Sequence, residues 1–384
     1  MQKFEEGGGF MKKIFTLALV GILCVYSLGF AFDIVIFGDN RPHNQGEPQR
    51  PVFKQILKET NYWRPDFCIN VGDIVQGYTR DDALFEWEYR DYIGTIANLK
   101  VPIYHVAGNH EICWGAGRRL YSKYIGQTYY YIDHKGFRFI FLFTDDANKC
   151  NYVSIEQYKW LVDTLNEAQK KSLTPVVFMH RPIFTPLRGE KKGYGASGGI
   201  EGSSWGIGWK DKAMAKAIHK LFVKYGVKHV FAGHEHMFAH AVIDGVNYWI
   251  TGGAGAPLYP TPEKGGFFHY LLAKFDEKTK NVDVTVILPW SLNATVKQVG
   301  NVAEINFDNR LNEQAFSKLH PSFYVDVEMP PFEKYVVKSA TCDAKIVNIK
   351  DSPTQNGKIL TVRITPNPGR WFQKVVEKVV VVGK

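Results

Sequence analysis

Gly108-Asn109-His110-Glu111 follows the apolar run Val101–Val106, and it is one of five polar motifs placed in the same way. The others are Gly38-Asp39-Asn40-Arg41 after Asp33–Phe37, Gly72-Asp73 after Asp66–Val71, Met179-His180-Arg181-Pro182 ending Pro175–Met179, and Gly233-His234-Glu235-His236 after Val227–Ala232. Most of these runs are short and continuously apolar, which is how a strand buried on both faces reads. Each motif sets an Asp, Asn or His where its strand stops. Donor atoms from five remote segments can therefore meet at one edge of a sheet.

Helical patterns lie between the runs. Pro51–Thr60 and Asp81–Asn98 are two of them. Ser154 with Gln157 makes a capping box for a helix running to about Lys170. Asp211 to Tyr225 is a fourth, closed by Gly226. Strand and helix in alternation predict an α/β fold. Hairpins are interleaved: Tyr129–Ile132 with Phe137–Phe143, Ala241–Ile243 with Val246–Ile250 around Asp244-Gly245, and Leu271–Phe275 with Val282–Ile287. So many hairpins imply two sheets. From about Pro289 the helical patterns cease, and Tyr324–Val327, Tyr335–Lys338, Lys345–Ile349, Ile359–Ile364 and Val375–Val382 read as strands. The expected organisation is a leader over 1–31, a two-sheet α/β unit over 32–288 and a β-rich region over 289–384. The Gly-rich stretch Arg188–Lys210, after a candidate ligand, reads as a lid, with Trp205 and Trp209 as packing or loop anchors or, alternatively, as its substrate contacts.

Lys12 and Lys13 precede the apolar segment Ile14–Phe30, and Gly29-Phe30-Ala31 offers small residues for cleavage after Ala31. Export to a periplasmic or extracellular space is expected, with a retained membrane anchor as the alternative. Beyond that segment nothing points to a membrane. Cys113 and Cys150 lie in loops and can pair in an oxidising compartment, whereas Cys68 falls in an apolar run and reads as buried and free. The net charge of +9 is scattered along the chain, so it gives no specific nucleic-acid signal.

Asp39 and Asp73 supply carboxylates, Asn109 a neutral oxygen, and His180, His234 and His236 imidazoles. Such a mixed set suits two divalent cations bridged by a carboxylate, with Mn, Fe or Zn all compatible. Two ions about 3.5–4 Å apart activate a bridging water and clamp a phosphate. His110, beside Asn109, is placed to protonate a leaving alkoxide.

In their order these motifs resemble the calcineurin-like metallophosphoesterase superfamily, with its pattern D-x-H, G-D, G-N-H-[DE], H and G-H-x-H, over roughly residues 33–250. The resemblance implies two β-sheets between helical layers, an α/β/β/α sandwich. It also implies a first metal on Asp39 and His236, a second on Asn109, His180 and His234, and Asp73 bridging them. One position departs from the pattern. Arg41 stands where the family has a ligating His, and a guanidinium does not ligate. Arg41 is expected to reach for substrate phosphate instead, with His43 the alternative donor. Gln76 stands where the purple acid phosphatase branch has a Tyr, which argues against that branch. The remaining histidines read as structural, and Arg118, Arg119 and Arg181 as surface charges.

The expected function is thus an exported phosphoesterase hydrolysing phosphomonoesters or phosphodiesters by attack of metal-bound hydroxide. The alternative is a degenerate phosphoesterase scaffold acting in binding or surface assembly.

Overall fold

The structure is a computed structural model describing residues 31–146, 150–186, 205–311, 318–319, 321–353, 356–367 and 374–384. The expected leader up to residue 30 and most of the expected lid lie outside the described residues.

In chain order the first unit contains β1 (Ala31–Phe37), α1 (Pro51–Trp63), β2 (Phe67–Asn70), α2 (Asp82–Ile96), β3 (Ile103–His105), α3 (Asn109–Ile112), α4 (Gly117–Tyr124), β4 (Tyr130–His134), β5 (Phe137–Leu142), α5 (Ile155–Lys170) and β6 (Thr174–Met179). It continues with the short pair β7 (Phe184–Thr185) and β8 (Gly206–Ile207), then α6 (Lys212–Lys224), β9 (His229–Ala232), β10 (Phe238–Ile243), β11 (Val246–Thr251), β12 (Tyr270–Asp276) and β13 (Val282–Ile287). One sheet has the order β13-β12-β1-β2-β3 and a second the order β10-β11-β9-β6-β5-β4. In the first, β1, β2 and β3 run parallel and the β12–β13 hairpin completes one edge antiparallel; in the second, β11, β9, β6 and β5 run parallel between the antiparallel edge strands β10 and β4.

Alternation along the strands makes the layers. Phe32, Ile34 and Ile36 of β1 point inward to Phe139, Phe141, Phe178 and Phe231 of the second sheet. Val35 and Phe37, one register position away, face outward onto Phe53 and Ile56 of α1. The outer face of the second sheet is covered by Leu161 and Leu165 of α5 and Ile218 and Phe222 of α6. The result is the expected helix–sheet–sheet–helix sandwich. The helix starts follow from side chains: Asp81 caps α2, Asp211 caps α6, and Ser154 Oγ accepts the Gln157 amide of α5. Gln157 does not close a full capping box, because its side-chain amide pairs with both backbone groups of Phe143.

Seven strands follow: β14 (Leu292–Val299), β15 (Val302–Asn309), β16 (Phe323–Met329), β17 (Tyr335–Ala340), β18 (Asp343–Asp351), β19 (Lys358–Thr365) and β20 (Val375–Gly383). They form the sheets β14-β15-β20-β17 and β16-β19-β18. The β14–β15 hairpin is absent from the sequence expectation, because β14 is mostly solvent-exposed and carries little apolar alternation. This region packs on α1. Trp63 meets Phe323 at 4.8 Å between ring centroids, Tyr62 meets Phe307 at 5.7 Å, and Asp326 pairs with Arg64 at 2.5 Å and with Lys100. One continuous hydrophobic core joins the two regions.

Candidate metal centre

All five motifs follow the C-terminal ends of parallel strands β1, β2, β3, β6 and β9, and their backbones pin one another. The Asp39 amide donates to Gly72 O (2.9 Å), the Arg41 amide to Asp73 O (3.0 Å), and the Gly233 amide to His180 O (3.0 Å). Asp39 carboxylate oxygens accept from the His234 amide at 2.9 and 3.1 Å, and Asp73 Oδ1 accepts from the His110 amide at 3.1 Å. The fit leaves no space for side chains beneath the ligands. A Cβ on Gly72 would lie 2.6 Å from His180 Nδ1, and one on Gly233 would lie 2.5 Å from Asp39 Oδ2.

Two overlapping triads result. Donor atoms of Asp39, Asp73 and His236 lie within 4.8 Å of one another, and so do those of Asp73, His180 and His234. Asp73 belongs to both. Asn109 joins the second triad: its Oδ1 is 3.1 Å from His180 Nε2, while its Nδ2 donates to the Tyr78 hydroxyl at 2.7 Å. That bond turns the amide so that oxygen faces the centre. His180 Nδ1–H donates to Val71 O (2.9 Å) and His236 Nδ1–H to Pro257 O (2.7 Å), so each ring presents Nε2 inward.

The electrostatics fit a cation. Burial pushes the Asp39 carboxyl up to about 8, with Asp73 adding to the rise against His180. Burial would raise Asp73 too, but His180 and His110 hold it well below the usual carboxylate range. Burial opposes charge on His180, yet Asp73 lifts it to about 9. The proton shared by His180 and Asp73, 3.1 Å apart, sits among the donors that a divalent ion would join. Glu111, fully buried behind Asp73, is also raised to about 8 by burial and by Asp73.

Four neighbours were not read as part of the site. Gln76 accepts from Arg41 Nη1 through its side chain and from His110 Nδ1–H through its backbone oxygen. Tyr259 stacks on His236 at 4.1 Å. Arg181 is a buried residue, not a surface charge: its Nε lies 2.9 and 3.0 Å from the two oxygens of buried Asp145. Its Nη1 also donates to His234 Nε2 at 2.7 Å. A cation can use His234 only after that bond is given up. On Nε2 it needs the same lone pair, and on Nδ1 it sends the ring proton to Nε2, against the guanidinium. Asp145 lies in a loop tethered by the Cys113–Cys150 disulfide, so the two cysteines do pair. A His, Asp or Gly beside an apolar run carries its signal locally, whereas Arg181 and Asp145 are 36 residues apart and carry none.

Residues 32–238, more than half of the chain, match the calcineurin-like phosphoesterase family. The chain belongs to that family. The curated relatives include the serine/threonine-protein phosphatase CPPED1 of Bos taurus, 25% identical over 59% of this chain and 74% of that protein. The Mus musculus CPPED1 is 23% identical over 51% of this chain and 61% of its own length. A dimetal phosphatase from Danio rerio resembles the structure with a TM-score of 0.47 at 13% identity, covering 73% of this chain and 96% of that one.

For a calcineurin-like phosphoesterase, Arg41 is the unusual residue. Its Nε is 3.8 Å from Asp73 Oδ2, Nη1 also donates to Pro42 O (3.2 Å), and the buried Nε–H has no hydrogen-bond partner among the described residues. His43 is exposed and takes no part in the cluster. His110 sets its ring edge-on to Tyr78 at 4.4 Å, with Nε2 3.8 Å from Asp73 Oδ2. Of the two roles read for Trp209, the packing role is the one observed and substrate contact is not: the residue is buried in the α5–α6 core and its Nε1 donates to Arg181 O at 2.9 Å. Trp205 packs partly buried against Met237, Ala239 and Ile250.

The donors fit the family's cations unequally. Asp73, Asn109, His180 and His234 form a four-donor set with an oxygen and imidazole mixture suited to Mn, Fe or Zn. Asp39, Asp73 and His236 form a three-donor set with a guanidinium alongside.

Proposed function

We propose that the chain is an exported hydrolase of phosphate monoesters or diesters, with the phosphoryl group held between the metal-binding cluster, Arg41 and His110. The reading rests on the convergence of five buried donors and the half-buried His234 with a nearly buried guanidinium and an imidazole at the same strand ends. A cation held by Asp73, Asn109, His180 and His234 would act as Lewis acid on the phosphoryl oxygens and acidify the attacking water. The three-donor set is where the family's second ion would bind. Arg41 offers its unpartnered Nε–H to a phosphoryl oxygen, a charge-assisted bond that the protein itself leaves unmade. His110 keeps Nδ1–H on the Gln76 carbonyl, so a proton for the leaving oxygen is carried on Nε2 of its imidazolium form, which burial disfavours and the Asp73 carboxylate favours. Glu111 accepts the Ile74 amide and braces the turn that carries Asp73.

Export is supported by the Cys113–Cys150 bridge, a bond that persists in oxidising compartments. No helix among the described residues is long and apolar enough to cross a membrane. The protein-phosphatase activity named for the relatives falls inside the monoester class.

The test is hydrolysis of an aryl phosphomonoester and an aryl phosphodiester by the Mn-loaded chain beside His110→Gln. Turnover of one ester class, reduced by roughly 10²–10⁴ in the variant, is expected if His110 is the proton donor. A metal-loaded chain inert toward both esters would sink the hydrolase reading. It would leave the alternative of a binding scaffold on this fold, which the Arg181–His234 bond favours.

A further inference from the structure

Arg41 is better placed to replace a cation than to accompany one. Its guanidinium lies within electrostatic reach of Asp39, Asp73, His110 and His236, which face the three-donor set. It is fixed there by Nη1 bonds to Gln76 and to Pro42 O, and by the Arg41 amide on Asp73 O. Only about a tenth of its side chain is exposed. A buried arginine cannot lose its charge, so a divalent ion beside it would meet a permanent like charge at short range.

Charge balance leads to the same place. Asp39, Asp73 and Glu111 are three buried carboxylates around the centre, and Asp145 is already paired with Arg181. With all three ionised, Arg41 and one divalent ion neutralise them, whereas Arg41 and two ions leave the pocket two positive charges over. Donor count agrees as well, since the four-donor set needs only the release of His234 from Arg181, whose charge Asp145 balances, whereas the three-donor set lacks its fourth donor where Arg41 stands.

We propose that this chain holds one divalent cation, on Asp73, Asn109, His180 and His234, and that Arg41 supplies the positive charge of the missing second ion. Arg41 is then the group that meets the phosphoryl oxygen a second metal would otherwise hold. This deepens the phosphoesterase reading and rests on it for the substrate.

The experiment is a metal count with a spectroscopic readout that needs no turnover. The full chain is stripped with chelator, titrated with Mn²⁺, counted by elemental analysis and examined by electron paramagnetic resonance. One ion per chain with the six-line spectrum of isolated Mn²⁺ is expected. Arg41→His should raise the count to two and bring an exchange-coupled spectrum. His236→Ala, which touches only the three-donor set, should leave the wild-type count and affinity unchanged; this variant serves if Arg41→His does not fold. Two coupled ions in the wild type, or loss of an ion in His236→Ala, would overturn the assignment. One ion without hydrolysis of either ester would instead overturn the phosphoesterase reading and leave the metal assignment standing. Two coupled ions with turnover would do the reverse.

Discussion

Breaking the Cys113–Cys150 bridge tests both the stability of the site and the compartment it is built for. The bridge closes a separation of 37 residues, with Cα atoms 6.0 Å apart. In the chain-entropy treatment a loop of that length restricts the unfolded chain by about 13 cal/mol/K, or about 4 kcal/mol at 25 °C. The folded state contributes a further effect, because the bridge joins the segment following α3, which begins with Asn109 and His110, to the loop that carries Asp145. Asp145 takes the Asn151 amide at 2.7 Å and both contacts from Arg181 Nε, so loosening the loop loosens the guanidinium that caps His234. Cys113→Ser/Cys150→Ser, and the wild type under reductant, should each unfold in urea with stability lowered by about 2–4 kcal/mol. Equal stability of the oxidised wild type and the double variant would refute the reasoning. So would peptide mapping that finds both thiols free in protein recovered from an oxidising compartment.

Gly72→Ala places a methyl 2.6 Å from His180 Nδ1 at a backbone φ of +100°, and should cost roughly 1–3 kcal/mol and weaken Mn²⁺ binding; unchanged metal affinity by titration would argue that His180 is not held by this turn. Trp209→Phe should cost about 1–2 kcal/mol through the lost bond to Arg181 O and leave KM for aryl phosphates unchanged; a raised KM without a change in unfolding would return the ring to substrate contact. Asp326 is held below its ordinary value by Lys100 and Thr361, although burial opposes this. Its contribution to docking β16 on α1 is therefore complete above the unfolded carboxylate value of about 3.9 and is lost as pH falls through the lower folded value. Urea titrations of Asp326→Asn and wild type should differ at pH 7 and converge in strong acid; a gap that stays constant to pH 2 would rule this out.

The layered sandwich was legible because its strands are runs of Val, Ile and Phe too short for helices, four of them followed by Gly with a polar residue and the fifth by His180. Asp244-Gly245 was legible for the same local reason: both residues take positive φ, and their types tolerate it. What escaped is side-chain pairing across long separations. Gln76 enters the sequence reading only as a position without tyrosine, until the fold sets it against Arg41, 35 residues away. Arg181 reads as a surface charge because only Asp145, in another loop, buries it. Trp209 sits in a Gly-rich stretch that suggests a lid, yet the α5–α6 core claims its indole. Gln157 shows a local signal partly displaced: the cap at Ser154 forms, while the glutamine is taken by the Phe143 backbone, which offers two hydrogen bonds in place of one.

Three of the donor residues share a backbone state that bears on how the site tolerates change. Asp39, Asp73 and His234 have φ of 57°, 58° and 69°, the left-handed region that most side chains avoid. Asp, Asn and His enter it more readily than other non-glycine residues, because their short polar groups can bond locally. Residue type at these positions therefore serves the turn as well as the cation. The two demands can be separated. An Asp→Asn change keeps the turn chemistry and removes only the charge, whereas Asp→Val removes both and adds the strain of a branched side chain at positive φ. The motif Asp39-Asn40-Arg41 fits this logic. Asp39 makes the turn and accepts the His234 amide, Asn40 is buried against Gln49 and Asn70, and the turn then delivers residue 41 to the cluster. The scaffold that presents residue 41 does not depend on that residue being a ligand, so an arginine can take the position without disturbing the five loops around it.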